Sequence, residues 1–166
     1  MTMAEKKTVI CTGINGEKTE VPLEQLTFRP SVFAVIVKNN EVLLSSQWDG
    51  WDFPGGGIHM GETMDEAFAR EVKQETGLTV QRGKLLHVAD HFFTHPNGDR
   101  HFHSVLMHFT CKDVEGELKT QGLNEGEKAY MREAQWIPLE HVTTLKFYNQ
   151  VDSPLLIRMA ADGRGI

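Results

Sequence analysis

Apolar and polar positions along the chain follow two different periods. Ser31 to Val37 is a β-branched and aromatic run, and Val42 to Ser46 follows it across Lys38-Asn39-Asn40-Glu41, which predicts a hairpin entering a sheet. Thr8 to Cys11 and Lys18 to Leu23 flank an Asn15-Gly16 pair and predict an earlier hairpin. Leu78 to Phe93, His101 to Cys111 and Glu133 to Ile137 read as strands, and Pro154 to Ala161 as a short terminal helix. Between them the period changes, because Met64, Phe68 and Val72 recur every four residues. Thr63 and Glu66 have capping-box spacing and Gly77 stands where a left-handed C-terminal residue belongs, so a helix is predicted over 64–76. The order predicts an α/β (α+β) fold in which helices cover a mixed β-sheet. No repeat or linker tract interrupts it, so residues 1–166 read as one domain: an N-terminal hairpin extension over 1–28, a core over 30–140 and a C-terminal segment over 141–166.

The helix carries an anomaly. At about 100° per residue, Glu71 and Glu75 fall inside the stripe of Met64, Phe68 and Val72, while Asp65, Glu66 and Lys73 lie outside it. Partly burying an ionised carboxylate without a partner costs several kcal/mol, so something cationic is expected to meet the pair. The preceding Phe53-Pro54-Gly55-Gly56-Gly57 brings bare backbone to the same place. Carbonyl and carboxylate oxygens without nitrogen or sulfur favour Mg²⁺ or Mn²⁺ over zinc.

Composition agrees. The 166 residues carry 17 Lys plus Arg against 23 Asp plus Glu, a net charge of −6. That excludes the uniform basic face of a nucleic-acid binder, and it makes a metal the natural intermediary for an anionic substrate. Cys11 and Cys111 have no zinc or disulfide spacing, and the N-terminus lacks an apolar secretory stretch. The longest apolar run, Val32 to Val37, is far below membrane-spanning length. A cytoplasmic protein without membrane partners is expected.

At this point the residues resemble the Nudix box of the MutT-like hydrolases. Gly56, five residues, Glu62, seven residues and then Arg70-Glu71-Val72-Lys73-Gln74-Glu75-Thr76-Gly77-Leu78 match six of its seven fixed positions. Trp51-Asp52-Phe53-Pro54-Gly55-Gly56 and Trp136-Ile137-Pro138-Leu139 look like the family's flanks, which extends the resemblance over about residues 30 to 140. It implies a loop, helix, loop motif on an α/β/α sandwich, and Mg²⁺- or Mn²⁺-dependent hydrolysis of a diphosphate bond in a small nucleoside diphosphate derivative. By position, Glu71 and Glu75 would bind metal with the Gly56 carbonyl, and Glu62 and Arg70 would form an ion pair orienting Glu71. Gln74 departs from the pattern: it stands where the family has a glutamate, and its amide adds a ligand oxygen but no charge. Some members add a glutamate from a later loop, for which Glu125 and Glu127 are the candidates; a solvated acidic loop is the competing reading.

Other features are weaker. Gly55, Gly56 and Gly57 could cradle phosphate or simply build a turn. His101 and His103 share a strand face and are candidates for substrate contact, against the more ordinary reading of histidines on a half-exposed strand. Trp48, beside Asp49-Gly50, is a candidate exposed stacking residue. Asp90, His91 and Ser104 lack a nucleophile elbow and are set aside as a triad. Pro96 hints at ADP-ribose-like substrates. The histidine-rich hairpin and the N-terminal ribbon are candidate pocket walls or homodimer contacts. Two other classes remain open: a non-catalytic nucleotide-binding module, favoured by Gln74, and an isoprenoid diphosphate isomerase, which would need a cysteine at the site.

Overall fold

The computed structural model describes residues 7–119, 125–128 and 131–166, with the backbone alone for Glu127, Lys128, Met131 and Arg132. Eleven strands and three α-helices are placed in the order β1 (Thr8–Thr12), β2 (Lys18–Pro22), β3 (Leu26–Phe28), β4 (Ser31–Val35), β5 (Val37–Lys38), β6 (Glu41–Gln47), β7 (Gly50–Asp52), β8 (Gly55–Gly57), α1 (Met64–Thr76), β9 (Thr79–Thr94), β10 (His101–Glu115), α2 (Glu125–Lys128), β11 (Met131–Pro138) and α3 (Ser153–Ala161). They form two sheets. One runs β2-β1-β9-β10-β4-β8 with β3 beside β10, and the other runs β11-β6-β5 with β7 beside β6. β1 meets β9, and β3 and β4 meet β10, in parallel, while the remaining pairs are antiparallel. The α+β class with a mixed sheet is therefore what the chain adopts.

The run expected as one strand over Ser31 to Val37 divides. β4 pairs with β10 and β8, and after Ile36 the chain crosses to the second sheet as β5. The hairpin to β6 turns at Asn39 and Asn40, both with positive φ (53° and 63°), a conformation asparagine tolerates. Every residue of β4 is buried, because both of its faces are covered. Val32, Ala34 and Ile36 pack with Ala67, Phe68 and Val72 of α1, whereas Phe33 and Val35 pack with Leu156 and Ile157 of α3. The N-terminal hairpin has its own small core of Val9, Cys11 and Val21, with Leu26 and Phe92 against it.

α1 spans the predicted residues. The Thr63 hydroxyl accepts from the Glu66 backbone N–H, the Glu66 carboxylate accepts from that of Thr63, and Gly77 closes the helix at φ 77°. One detail differs: Met64, in the first turn, is 41 % exposed, so the buried stripe begins at Ala67. Among the described residues, no helix is long and apolar enough to cross a membrane.

Candidate active site

The buried face of α1 is Ala67, Phe68, Glu71, Val72, Glu75 and Thr76. Both carboxylates thus occupy the apolar stripe, 8 % and 5 % exposed. Glu75 accepts a 2.7 Å hydrogen bond from the Ser45 hydroxyl of β6. Burial pushes its carboxyl well above the usual carboxylate range, and the nearby charges of Glu71 and Asp52 push it further. Asp52 at the end of β7 is also raised by burial, to about 7, although it accepts from the Phe53 backbone (2.8 Å) and from Asn149 through both oxygens (2.9 and 2.8 Å). Three acids therefore sit within each other's field in a low-dielectric site.

Arg70 organises the rest. Its Nε and Nη2 donate to the two oxygens of Glu62 at 2.6 and 2.8 Å, Nη1 donates to Glu71 Oε1 at 2.8 Å, and Nη2 also reaches the Gly57 carbonyl at 3.1 Å. This fork holds the Glu62 carboxyl down at about 2. Gln74 turns its amide oxygen toward the same guanidinium at 3.4 Å.

The glycine strand β8 lies at the edge of its sheet, against α1. A Cβ on Gly56 would stand 2.6 Å from Glu71 Oε1, so only glycine lets this carboxylate approach the backbone. Ala34 N–H donates to the Pro54 carbonyl and Ile58 N–H to that of Pro30. With Val32 opposite Gly56 between these bonds, the alternation of an antiparallel ladder makes Val32 and Gly56 a hydrogen-bonded pair. The Gly56 carbonyl expected to face the metal is thus engaged in the sheet, and those of Gly55 and Gly57 point to the free edge. Arg70 occupies that of Gly57.

A NUDIX domain model matches residues 27–159, most of the chain. The chain belongs to the Nudix family. An ADP-ribose pyrophosphatase of Methanocaldococcus jannaschii is 30% identical over 138 residues, covering 79% of this chain and 75% of that protein. An RNA pyrophosphohydrolase of Acinetobacter baylyi is 28% identical over 134 residues, 72% of this chain and 81% of that one. The fold matches a MutT NUDIX hydrolase from Burkholderia pseudomallei with a TM-score of 0.59 at 22% identity, covering 80% of this chain and 97% of that one.

In this Nudix hydrolase the other candidates fall elsewhere. His101 Nδ1 is bonded to Thr94 and His103 Nε2 to Asp90, and the His103 ring stacks on Phe92 with Phe28 at its edge. Strand alternation puts them on the face that packs under the N-terminal ribbon, opposite Phe102 and Ser104. Trp48 is half-buried in the β6–β7 turn, edge-on to Tyr148, rather than exposed. Glu125 is exposed on α2, and the side chain of Glu127 lies outside the described residues. Asp90 alternates away from His91 and Ser104, so no triad forms. Cys11 belongs to the ribbon core, and Cys111, with burial pushing its thiol up to about 12, lines a cleft with Val35, Ile36 and Val37. Cys111 also packs against the core cluster that holds Ala67, Phe68 and Val72 of α1. Sequence reasoning missed Ser45 and Asp52, whose contribution comes from β6 and β7. The one signal was an aspartate between aromatic residues beside the glycine run.

Proposed function

We propose that this Nudix hydrolase cleaves the diphosphate linkage of a small nucleoside diphosphate derivative, using Mg²⁺ or Mn²⁺ held by Glu71, Glu75 and the Gly55 carbonyl. The observation that carries the reading is the pair of buried carboxylates on the apolar face of α1, pressed against a glycine strand where a Cβ would displace Glu71. Glu71 and Glu75, lying against the bare backbone of β8, would supply two carboxylates completed by backbone oxygen. All-oxygen donors of this kind fit a hard divalent cation. When bound, such a cation lowers the pKa of a water and offsets charge on the diphosphate oxygens.

The chain's own residues do the positioning. Arg70 fixes one oxygen of Glu71 while Glu62 absorbs its remaining charge, and Ser45 fixes one oxygen of Glu75. Gln74, turned onto Arg70, leaves Glu71 and Glu75 as the box's negative charge at this point. The relatives named for ADP-ribose and RNA pyrophosphate chemistry support hydrolysis of a phosphoanhydride. The net charge of −6 favours the small molecule over the polymer.

The test is product release from ADP-ribose, other nucleoside diphosphate conjugates, nucleoside triphosphates and dinucleotides, with Mg²⁺, Mn²⁺ or chelator. Metal-dependent turnover that disappears in Glu75→Gln supports the reading. Ligand-induced stabilisation without turnover of any compound would replace it with the binding module.

A further inference from the structure

Arg29 occupies a position that none of the box residues explains. It lies between β3 and β4, where its backbone N–H donates to the His103 carbonyl at 2.9 Å and Pro30 follows it, restricting it to extended conformations. The side chain emerges on the same sheet face as Ser31 and Phe33. A Cβ on Gly57 would stand 2.5 Å from Arg29 Nε, so the guanidinium stem lies directly on the last glycine of β8. Gly57 is adjacent in sequence to Gly56, against which Glu71 is pressed. The Arg29 cation and the carboxylate site thus flank one glycine strand.

Among the described residues its charge meets no carboxylate. Arg70, Arg82 and Arg164 each meet a carboxylate at hydrogen-bond distance. Among the described residues none pairs with Arg29, which is exposed in a chain of net charge −6. Instead its guanidinium carbon stands 5.7 Å from the Phe102 ring centroid, and Arg100 stands 5.8 Å from the same ring. Two like charges are therefore held around one aromatic ring, one of them beside the Gly57 end of β8. Burial first, then Arg100 and more weakly Arg29, lower the pKa of neighbouring His95, with Asp99 opposing. A planar fork of donors, restrained and without a carboxylate partner among the described residues, is suited to bidentate recognition of phosphate.

We propose that Arg29 is a substrate-binding residue whose guanidinium takes the oxygens of a substrate phosphate at the Gly57 end of β8, with the Phe102 ring holding it in place. The role rests on the diphosphate reading above but can fail separately from it. It requires no metal, because the contact is between the guanidinium and phosphoryl oxygen.

The experiment is calorimetric titration of the wild-type protein, Arg29→Met and Arg29→Lys with α,β-methylene-ADP in chelator at low salt, beside steady-state kinetics with Mg²⁺ and a melting curve. Methionine keeps an apolar stem on Phe102 and removes the charge. Loss of the contact is expected to weaken binding by about ten-fold or more in Arg29→Met. Arg29→Lys, lacking the fork, is expected to fall between, and wild-type binding to weaken with salt. In turnover the variant is expected to raise KM with kcat little changed. Binding by Arg29→Met equal to wild type, no wild-type binding in chelator, or a melting temperature falling in step with affinity would each overturn the proposal. Arg29-dependent binding without turnover of any diphosphate would retain Arg29 and remove the hydrolase reading.

Discussion

Two buried sets of titratable groups make an instructive pair. On α1, Glu71 and Glu75 are enclosed but connected, to Arg70, Ser45 and the glycine backbone. On β10, His108 is equally enclosed, and neither ring nitrogen has a hydrogen-bond partner among the described residues. It stacks on Phe33, meets Phe53 edge-on and lies 6.2 Å from the His87 ring. Burial lowers its pKa to about 4, with His87 adding to the effect, so near neutral pH it is an uncharged aromatic filler. Burial of an ionisable group therefore does not mark chemistry by itself. What distinguishes the carboxylates is convergence, since charges and donors from four elements meet on them.

The comparison breaks most sharply at Glu75→Gln. This change keeps shape and the Ser45 contact but removes a charge, and turnover is expected to fall by about a thousand-fold or more while the fold persists. Steady-state kinetics beside a melting curve checks both halves. Gly56→Ala comes next. Its Cβ meets the far end of a flexible side chain, so Glu71 gives way at modest cost in stability, while activity is expected to fall by about a hundred-fold. At Gly55 the added Cβ would meet the Val32 carbonyl and Phe33 backbone, so melting temperature is expected to drop along with kcat.

The two sets also have opposite pH signatures. The folded pKa of His108 lies below its unfolded value near 6.5, so the folded state binds fewer protons and stability is lost as pH falls from about 6.5 toward 4, by up to about 3 kcal/mol. The folded pKa of Glu75 is raised, so metal-free stability is lost as pH rises above about 4.5. Melting curves in chelator are expected to show His108→Leu removing the acid-side loss without changing turnover, and Glu75→Gln removing the opposing trend. The smallest effect belongs to Thr63→Ala, which deletes the cap of α1: about 1 kcal/mol of stability by denaturant titration, with residual activity in the folded fraction.

The same contrast explains what could be read in the sequence. α1 was legible to its ends because its signals are local: a capping box, a four-residue repeat and a closing glycine. The carboxylate pair was legible because two acids violate that repeat. Ser45 and Asp52 were not, since they reach Glu75 only after β6 and β7 fold beside the helix. The division of the Ser31 to Val37 run was hidden too, because a strand covered on both faces looks alike whichever sheet it joins. His101 and His103 drew attention by residue type, yet the structure gives them Thr94, Asp90 and two phenylalanines. The engaged Gly56 carbonyl follows from register, which spacing alone does not encode.

Strand β8 has one more consequence. Three glycines at the end of a sheet form a border without side chains to keep a second molecule from docking strand to strand. Natural proteins usually guard such borders with charge, bulges or a covering segment. Here α1 lies across the border and Arg70 occupies the Gly57 carbonyl. The guanidinium that orients a carboxylate thus also acts as a gatekeeper, and the bare backbone needed inside the molecule is kept from recruiting neighbours outside it.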